Sequence, residues 1–286
     1  MQKTAPKLTS FPRDTHWRTE HFQQPPFQDL LLLHDFSQEP AWLSAERLSE
    51  VMSHADIGFQ QQSVTGSNTD GVEALAEPID TRYYEEIIFQ DKLVPTRFAN
   101  WHDFFNACIW GLFPKTKAQL NQIHMHEIRE FGLKPRTARR DRVTHFDECG
   151  VVLAYSCASI ATGLRDHAWL DIWGQGRANW LSESRQVRAY IFGHANYEML
   201  MQPHIGLTGK WLGVSVAESF WQQPLAAQYR HLDAALLDIC SADDSFTQRQ
   251  MLAPLPLLGV PTWCDLNNDP EFYNNTQYFR PKRSSR

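Results

Sequence analysis

The spacing of apolar positions along the chain changes period repeatedly and marks out an irregular succession of helices and strands. Helix formers over residues 44–54, with Trp42, Leu43, Leu48 and Val51 as a partial apolar stripe, predict a helix. Residues 83–93 read as a short strand. Residues 100–132 predict two helices divided at Phe113-Pro114, because proline removes a backbone donor and biases its predecessor away from helix. Residues 142–146 and 151–155 have strand character and flank Asp147-Glu148-Cys149-Gly150, so a β-hairpin with Asp147 and Glu148 at its bend is expected. A helix is expected over 158–173. A strand over 187–192 should run through Gly193 into a helix over 194–201, and a further strand is expected over 206–216. The last helix spans 225–239, with Leu232, Leu236 and Ile239 on one buried face.

This interleaving lacks a regular β-α-β rhythm. It predicts an α+β fold, with a mixed or antiparallel sheet that includes the hairpin and is packed by several helices. Residues 1–40, rich in Pro, Gln and Thr, read as an extended N-terminal arm whose anchors are Phe11, Trp17, Phe22 and Phe27. Residues 41–286 read as a single globular domain, with a polar loop over 60–78. The tail over 255–281 has little periodicity but carries Trp263, Phe272, Tyr273, Tyr278 and Phe279. It is expected to pack across the domain, since exposing it would create an apolar patch.

Composition narrows the function classes. Lys and Arg number 27 against 33 Asp and Glu, a net charge of −6 that disfavours a general nucleic-acid binder without excluding a local basic patch. The five cysteines form no C-x-x-C pair and leave one over, which suits free thiols in a reducing compartment. The first 22 residues lack an apolar signal region, and the longest early aliphatic run, Leu30 to Leu33, is too short to span a bilayer. A cytoplasmic location with no membrane contact is expected. The 10 tryptophans are read as core filling.

Sharp motifs fail on physical grounds. His126-Glu127-Ile128-Arg129-Glu130 imitates a zinc protease helix, but Glu130 stands where the second imidazole must face the metal. His124 and His126 are read as surface residues. Three polar clusters embedded in aromatic residues remain. In Asn100-Trp101-His102-Asp103-Phe104-Phe105-Asn106, either His102 serves a site or Asn100 caps a helix and Asp103 returns the bond. In His145-Phe146-Asp147-Glu148, the acids are chemical groups or simple turn formers. In Phe192-Gly193-His194-Ala195-Asn196-Tyr197-Glu198, His194 and Glu198 lie one helical turn apart. They can bind a divalent metal, form an acid/base pair, or be a buried histidine satisfied by its neighbour.

At these residues the chain resembles a bacterial family known as domain of unknown function 3025. The resemblance rests on the Asn100–Asn106 and Phe113–Lys117 stretches, Phe146-Asp147-Glu148-Cys149-Gly150 and Phe192-Gly193-His194-Ala195. It extends to Gly259-Val260-Pro261-Thr262-Trp263, Asp269-Pro270-Glu271-Phe272-Tyr273 and Phe279-Arg280-Pro281. It implies no activity. His145 departs from the family pattern, which has an apolar residue before Phe-Asp-Glu. Two functional readings follow. In the first, His102, Asp103, Asp147, Glu148, His194 and Glu198 form one hydrolase-like site for a small molecule or phosphoester, with a divalent metal as the candidate cofactor. In the second, the protein is a non-catalytic binding protein whose basic segment 134–142 (Lys134, Arg136, Arg139, Arg140, Arg142) contacts phosphate or RNA. Convergence of the three clusters in space would favour the first.

Overall fold

The computed structural model of the protein describes residues 15–62, 80–181, 183 and 185–282. The fold is α+β, as expected. Its main sheet has four strands in the order β4-β3-β5-β6, formed by β3 (Gly150–Tyr155), β4 (Val187–Ile191), β5 (Thr208–Ser215) and β6 (Ala253–Pro256). β3 runs antiparallel to β4 and parallel to β5, and β5 runs antiparallel to β6. A separate parallel pair joins β1 (Gly58–Gln61) to β2 (Leu93–Thr96). Val151, Val152, Leu153 and Ala154 of β3 are all fully buried. Such an uninterrupted apolar run marks a central strand covered on both faces.

The helices are α1 (Ala45–Val51), α2 (Tyr84–Asp91), α3 (Trp101–Leu112), α4 (Pro114–Phe131), α5 (Ala138–Cys149), α6 (Ala158–Arg165), α7 (Ala178–Leu181), α8 (His194–Leu200) and α9 (Leu225–Ser241). A π-helical stretch over Leu170–Gln175 stands in the second half of the long helix expected over 158–173. The break at Phe113-Pro114 falls where expected. Proline takes the first position of α4, and Phe113 provides no side-chain cap. The free amides there are satisfied from a distance: Asp233 of α9 accepts from Lys115 N (3.1 Å) and Thr116 N (2.9 Å).

Two elements differ from the sequence reading. Residues 83–93 form helix α2 running into β2, not a strand. Ile87 and Ile88 supply the buried face, and Glu85 and Glu86 stand in the first turn, where the helix dipole favours acids. Residues 142–146 belong to α5, so the hairpin does not form. The partners of β3 are β4 and β5. Val143 and Phe146 are both fully buried at a three-residue spacing that suits a helix face, and Thr137 caps the helix by accepting from Arg140 N. Asp147 and Glu148 therefore sit in the last turn of a helix rather than at a bend between strands.

From residue 15 onward the N-terminal segment is wound into 3-10 turns over Glu20–Gln23, Phe27–Leu32 and Phe36–Gln38, where an extended arm was expected. Phe22, Phe27, Leu30 and Phe36 are buried, and Trp17 stacks on Trp101 with ring centres 5.0 Å apart. Phe27 and Leu30, three apart in one such turn, face the core together, which the two-residue alternation of an extended chain would not allow. Phe11 and most of the polar stretch 60–78 lie outside the described residues. In the tail, Leu255, Leu257, Leu258, Tyr273, Tyr278 and Phe279 are buried. Tyr278 Oη donates to the Leu207 carbonyl (2.5 Å) and Asn267 Nδ2 to those of Leu258 and Val260. The five cysteines are free.

The junction that matters most joins α5–β3 to β4–α8. The Gly150 carbonyl accepts from Phe192 N (3.1 Å), Gly193 N (2.8 Å) and Asn196 Nδ2 (3.1 Å). A Cβ at Gly193 would meet the backbone at Gly150 N (2.2 Å), Glu148 O (2.4 Å) and Cys149 N (2.5 Å). Backbone on all sides cannot yield as a side chain would. Gly193→Ala is therefore expected to cost roughly 3 kcal/mol or more, the upper range for overpacking. Gly206→Ala, strained only by its φ of +111° with open space around it, should cost about 1–2 kcal/mol. Urea denaturation of the two variants checks the ranking.

Candidate functional site

Three helix ends converge on one cleft. His102 is the second residue of α3, Glu148 lies in the last turn of α5, and His194 is the first residue of α8. Asn100 fixes the start of α3 by accepting from Asp103 N (3.0 Å). Asp103 does not return the bond as a capping box would. Its carboxylate is held by Arg97 instead, through the backbone N (2.7 Å), Nε (2.8 Å) and Nη2 (2.7 Å). The aromatic residues of each cluster point away into the core, where Phe146 stacks on Phe192 with ring centres 4.5 Å apart. Each helix is thereby anchored by its apolar face and presents its polar residues to the cleft.

The cleft has a volume of about 330 Å³ and is lined by His102, Asp103, Asp147, Glu148 and His194, among others. The sixth sequence candidate, Glu198, reaches it through His102, whose Nδ1 lies 3.0 Å from Glu198 Oε2. His194 and Glu198, one turn apart on α8, do not pair with each other. The pairing runs between helices, because α3 packs directly against α8. His145, at the position where the chain departs from the family pattern, is exposed.

Three donor atoms face one another at the centre. His194 Nε2 lies 3.0 Å from His102 Nε2, and Glu148 Oε2 lies 3.8 Å from the first atom's partner on His102 and 3.5 Å from that on His194. A triangle with those sides has a centre about 2.0 Å from every corner, the bond length of zinc to imidazole or carboxylate. The imidazole centroids are 4.4 Å apart. That is less than the ~5 Å of a head-to-head linear N–H···N contact, so the ring axes meet at an angle. His102, Glu148 and His194 can hold a metal ion. Glu198 lies behind His102 and orients that ring from Nδ1, the position an outer carboxylate takes at metal sites.

The electrostatics of the metal-free group distinguish the two histidines. Burial opposes a charged His102, but the hydrogen bond to Glu198 and the charges of Glu148, Glu198 and Asp103 together outweigh it and raise its pKa. His194 is pushed down to about 3 by burial, which Asp147 only partly opposes. Of the two rings, His102 is therefore the one whose surroundings favour a proton, and His194 the one kept neutral. Glu148 is raised, first by burial and then by Asp147 and Glu198.

The sequence reading missed the support beneath this triangle. Lys117 is buried, with its Nζ 2.5 Å from Asp147 Oδ1 and 2.9 Å from Asn106 Oδ1, and Asn106 Nδ2 donates to Tyr84 Oη (3.0 Å). Burial alone would raise Asp147, but the Lys117 ammonium, as a neighbouring charge and as a hydrogen-bond donor, holds its pKa below the ordinary value. His124 was read as a surface residue and is buried in the cleft wall, 3.9 Å from Glu85. His126 is exposed, as expected, beside Glu130. Lys117 lies inside the Phe113–Lys117 stretch of the family resemblance, and that was the one available signal.

The basic segment takes a different role from the one expected. Arg140 is buried and donates to the Leu133 carbonyl, Arg139 to Ser245, and Arg142 to the Phe246 carbonyl. These guanidinium groups tie α5 to its surroundings, so the reading of this segment as a phosphate or RNA surface is not favoured. Among the described residues no helix is long and apolar enough to cross a membrane.

Fold and cleft together define an α+β protein with a two-histidine, one-carboxylate group able to take a metal ion. The chain belongs to the family described as protein of unknown function (DUF3025), whose model it matches over residues 72–283. No curated protein and no solved structure matches it significantly.

Removing Lys117 alone strands a carboxylate that is only 24% exposed, so Lys117→Met is expected to cost about 3 kcal/mol, the low end for breaking a buried pair, with much of the loss recovered in Lys117→Met/Asp147→Asn. The folded pKa of Asp147 is lowered. The pair's contribution is therefore complete above about pH 4, the unfolded carboxylate value, and is lost as pH falls through the lowered one. The gap between wild type and Lys117→Met in chemical denaturation should narrow below that pH.

Proposed function

We propose that this protein is a metal-dependent hydrolase of a small molecule, with His102, His194 and Glu148 as the ligands of one divalent ion. The observation that carries this reading is the single point about 2.0 Å from all three donor atoms, the metal–ligand distance at such sites. The carboxylate on the far side of His102 supports it. A divalent ion with three protein ligands keeps a position for water and lowers that water's pKa toward 7. Around it, Glu198 holds the His102 ring with Nε2 inward, and burial keeps His194 neutral and ready to ligate. Lys117 engages Asp147, which leaves Glu148 as the carboxylate that faces the Nε2 atoms of both rings. The cleft's volume of about 330 Å³ suits a small substrate.

Metal analysis of protein purified without a histidine tag tests the reading. About one divalent ion per chain is expected, with loss of that ion in His102→Asn, Glu148→Gln and His194→Gln. Glu198→Gln should keep the site at about 10–100-fold lower affinity, and the exposed His145→Gln should bind as wild type. Proton competition sets the pH dependence: because His102 is raised, zinc affinity should start to fall above the ordinary imidazole value of about 6.5 as pH is lowered, by near tenfold per unit while the His102 proton returns, and more steeply once Glu148, also raised, takes up its own. Failure of zinc, manganese and cobalt all to bind stoichiometrically would sink the metal assignment. Loaded protein that hydrolyses neither p-nitrophenyl phosphate nor p-nitrophenyl acetate faster than Glu148→Gln would count against hydrolysis while leaving the metal site standing.

A further inference from the structure

A second cavity, of about 280 Å³, lies between the N-terminal turns, the edge strand β4 and the tail, and shares no lining residue with the metal cleft. Its walls combine apolar groups, among them Pro26, Pro261 and Trp263, with three charged side chains: Asp29, Arg185 and Arg188. The charges do not balance. Asp29 is buried and fully engaged, accepting from Arg188 Nη2 at both oxygens (2.6 and 2.8 Å) and from Tyr229 Oη (2.7 Å). Arg188 also lies over the Tyr190 ring, 4.8 Å from its centre. That accounts for one carboxylate and one guanidinium.

Arg185 is left over. Its Nε donates to the Trp180 carbonyl (3.0 Å), which fixes the side chain at the cavity wall, and among the described residues no carboxylate pairs with its guanidinium. It is half-buried. Burial and the neighbouring Arg188 charge pull its pKa below the ordinary arginine value, partly opposed by Tyr190 and by Asp29, whose carboxylate is already engaged by Arg188. A desolvated charge that lacks a partner is costly, and a planar guanidinium matches the two oxygens of a carboxylate or phosphate. The cavity volume falls at the small end for ligand sites.

We propose that this cavity binds the oxyanion group, carboxylate or phosphate, of a small molecule, with Arg185 as the main contact, Arg188 alongside, and the molecule's apolar part against Pro261 and Trp263. The proposal does not depend on the metal reading.

Calorimetric titration of the full-length protein tests it, at fixed ionic strength and with EDTA present so that no ion in the metal cleft accepts the anion. The probes are benzoate, phenyl phosphate and inorganic phosphate, with benzamide as the uncharged match for benzoate. One benzoate or phenyl phosphate per chain is expected, with benzamide at least about tenfold weaker, a difference of about 1.4 kcal/mol. The tighter of benzoate and phenyl phosphate identifies the preferred headgroup, and weaker binding of inorganic phosphate would support the apolar contact. Arg185→Gln should lose at least tenfold in affinity, and Arg185→Lys, which keeps the charge but not the fork, should fall between. The control Lys134→Gln should bind as wild type. The proposal is overturned if benzamide binds as well as benzoate, if Arg185→Gln binds as wild type, or if no anion saturates by about 10 mM. Should Arg185→Gln fail to fold, the benzoate-to-benzamide ratio in wild type and in Arg185→Lys decides the matter.

Discussion

One backbone carbonyl organises the end of the molecule that carries the candidate site. The oxygen of Gly150 takes hydrogen bonds from Phe192 N, Gly193 N and the Asn196 side chain, so the turn out of α5 and the turn into α8 are fastened at one point. Such close approach requires the absence of a side chain at Gly193, where backbone atoms already occupy the Cβ position. The local geometry then follows. Glu148 precedes this point by two residues and His194 follows Gly193 directly, so their side chains emerge side by side without either helix bending to bring them together. α3, held against α8 by packing and against the N-terminal turns by the rings around Trp101, adds His102 from the third side.

Rigidity is unevenly distributed around that point, and the unevenness suits a binding site. Beneath the triangle, the buried Lys117 and Asn106 and the partly buried Asp147 form a polar network with each member partnered, an arrangement that fixes rotamers because rotation would strand a charge. Above it, Glu148 and Glu198 are substantially open to solvent, at 37% and 42% side-chain exposure. The inner wall is held by electrostatics and the outer wall can still exchange water. Away from the cleft, Arg139, Arg140 and Arg142 use their long stems and planar heads as struts that tie α5 to Ser245, Leu133 and Phe246, a role arginine can fill while remaining charged.

Much of the site was legible in the sequence, and what was missed has identifiable causes. Aromatic residues flanking short polar runs at 100–106, 146–148 and 192–198 marked groups that burial would force into partnership, and the helix starts at Asn100 and Gly193 were readable from capping chemistry and glycine. The hairpin reading failed because Val143 and Phe146, three apart, satisfy a helix face while the five residues around them also satisfy a short strand. Tertiary packing made the choice. Residues 83–93 failed similarly: the adjacent Ile87 and Ile88 suit a buried strand, and the acids at 85 and 86 were the neglected helix signal. Lys117 could not be found by residue type, since lysine is almost never buried unless paired. Its partner Asp147 lies 30 residues away, on an element read with the wrong period.

The distances along the chain within the triangle carry a consequence for how the protein is made. His102 and His194 are 92 residues apart, and the sheet pairing of β3 with β4 must be complete before the second histidine can face the first. At ordinary rates of synthesis the earlier imidazole leaves the ribosome several seconds before the later one. During that interval it offers a passing ion a single nitrogen, too weak a grip to retain it. The three donors thus come together only in the finished fold, so an ion held by all of them would be taken up after synthesis, with geometry, ligand type and the metals then available deciding which.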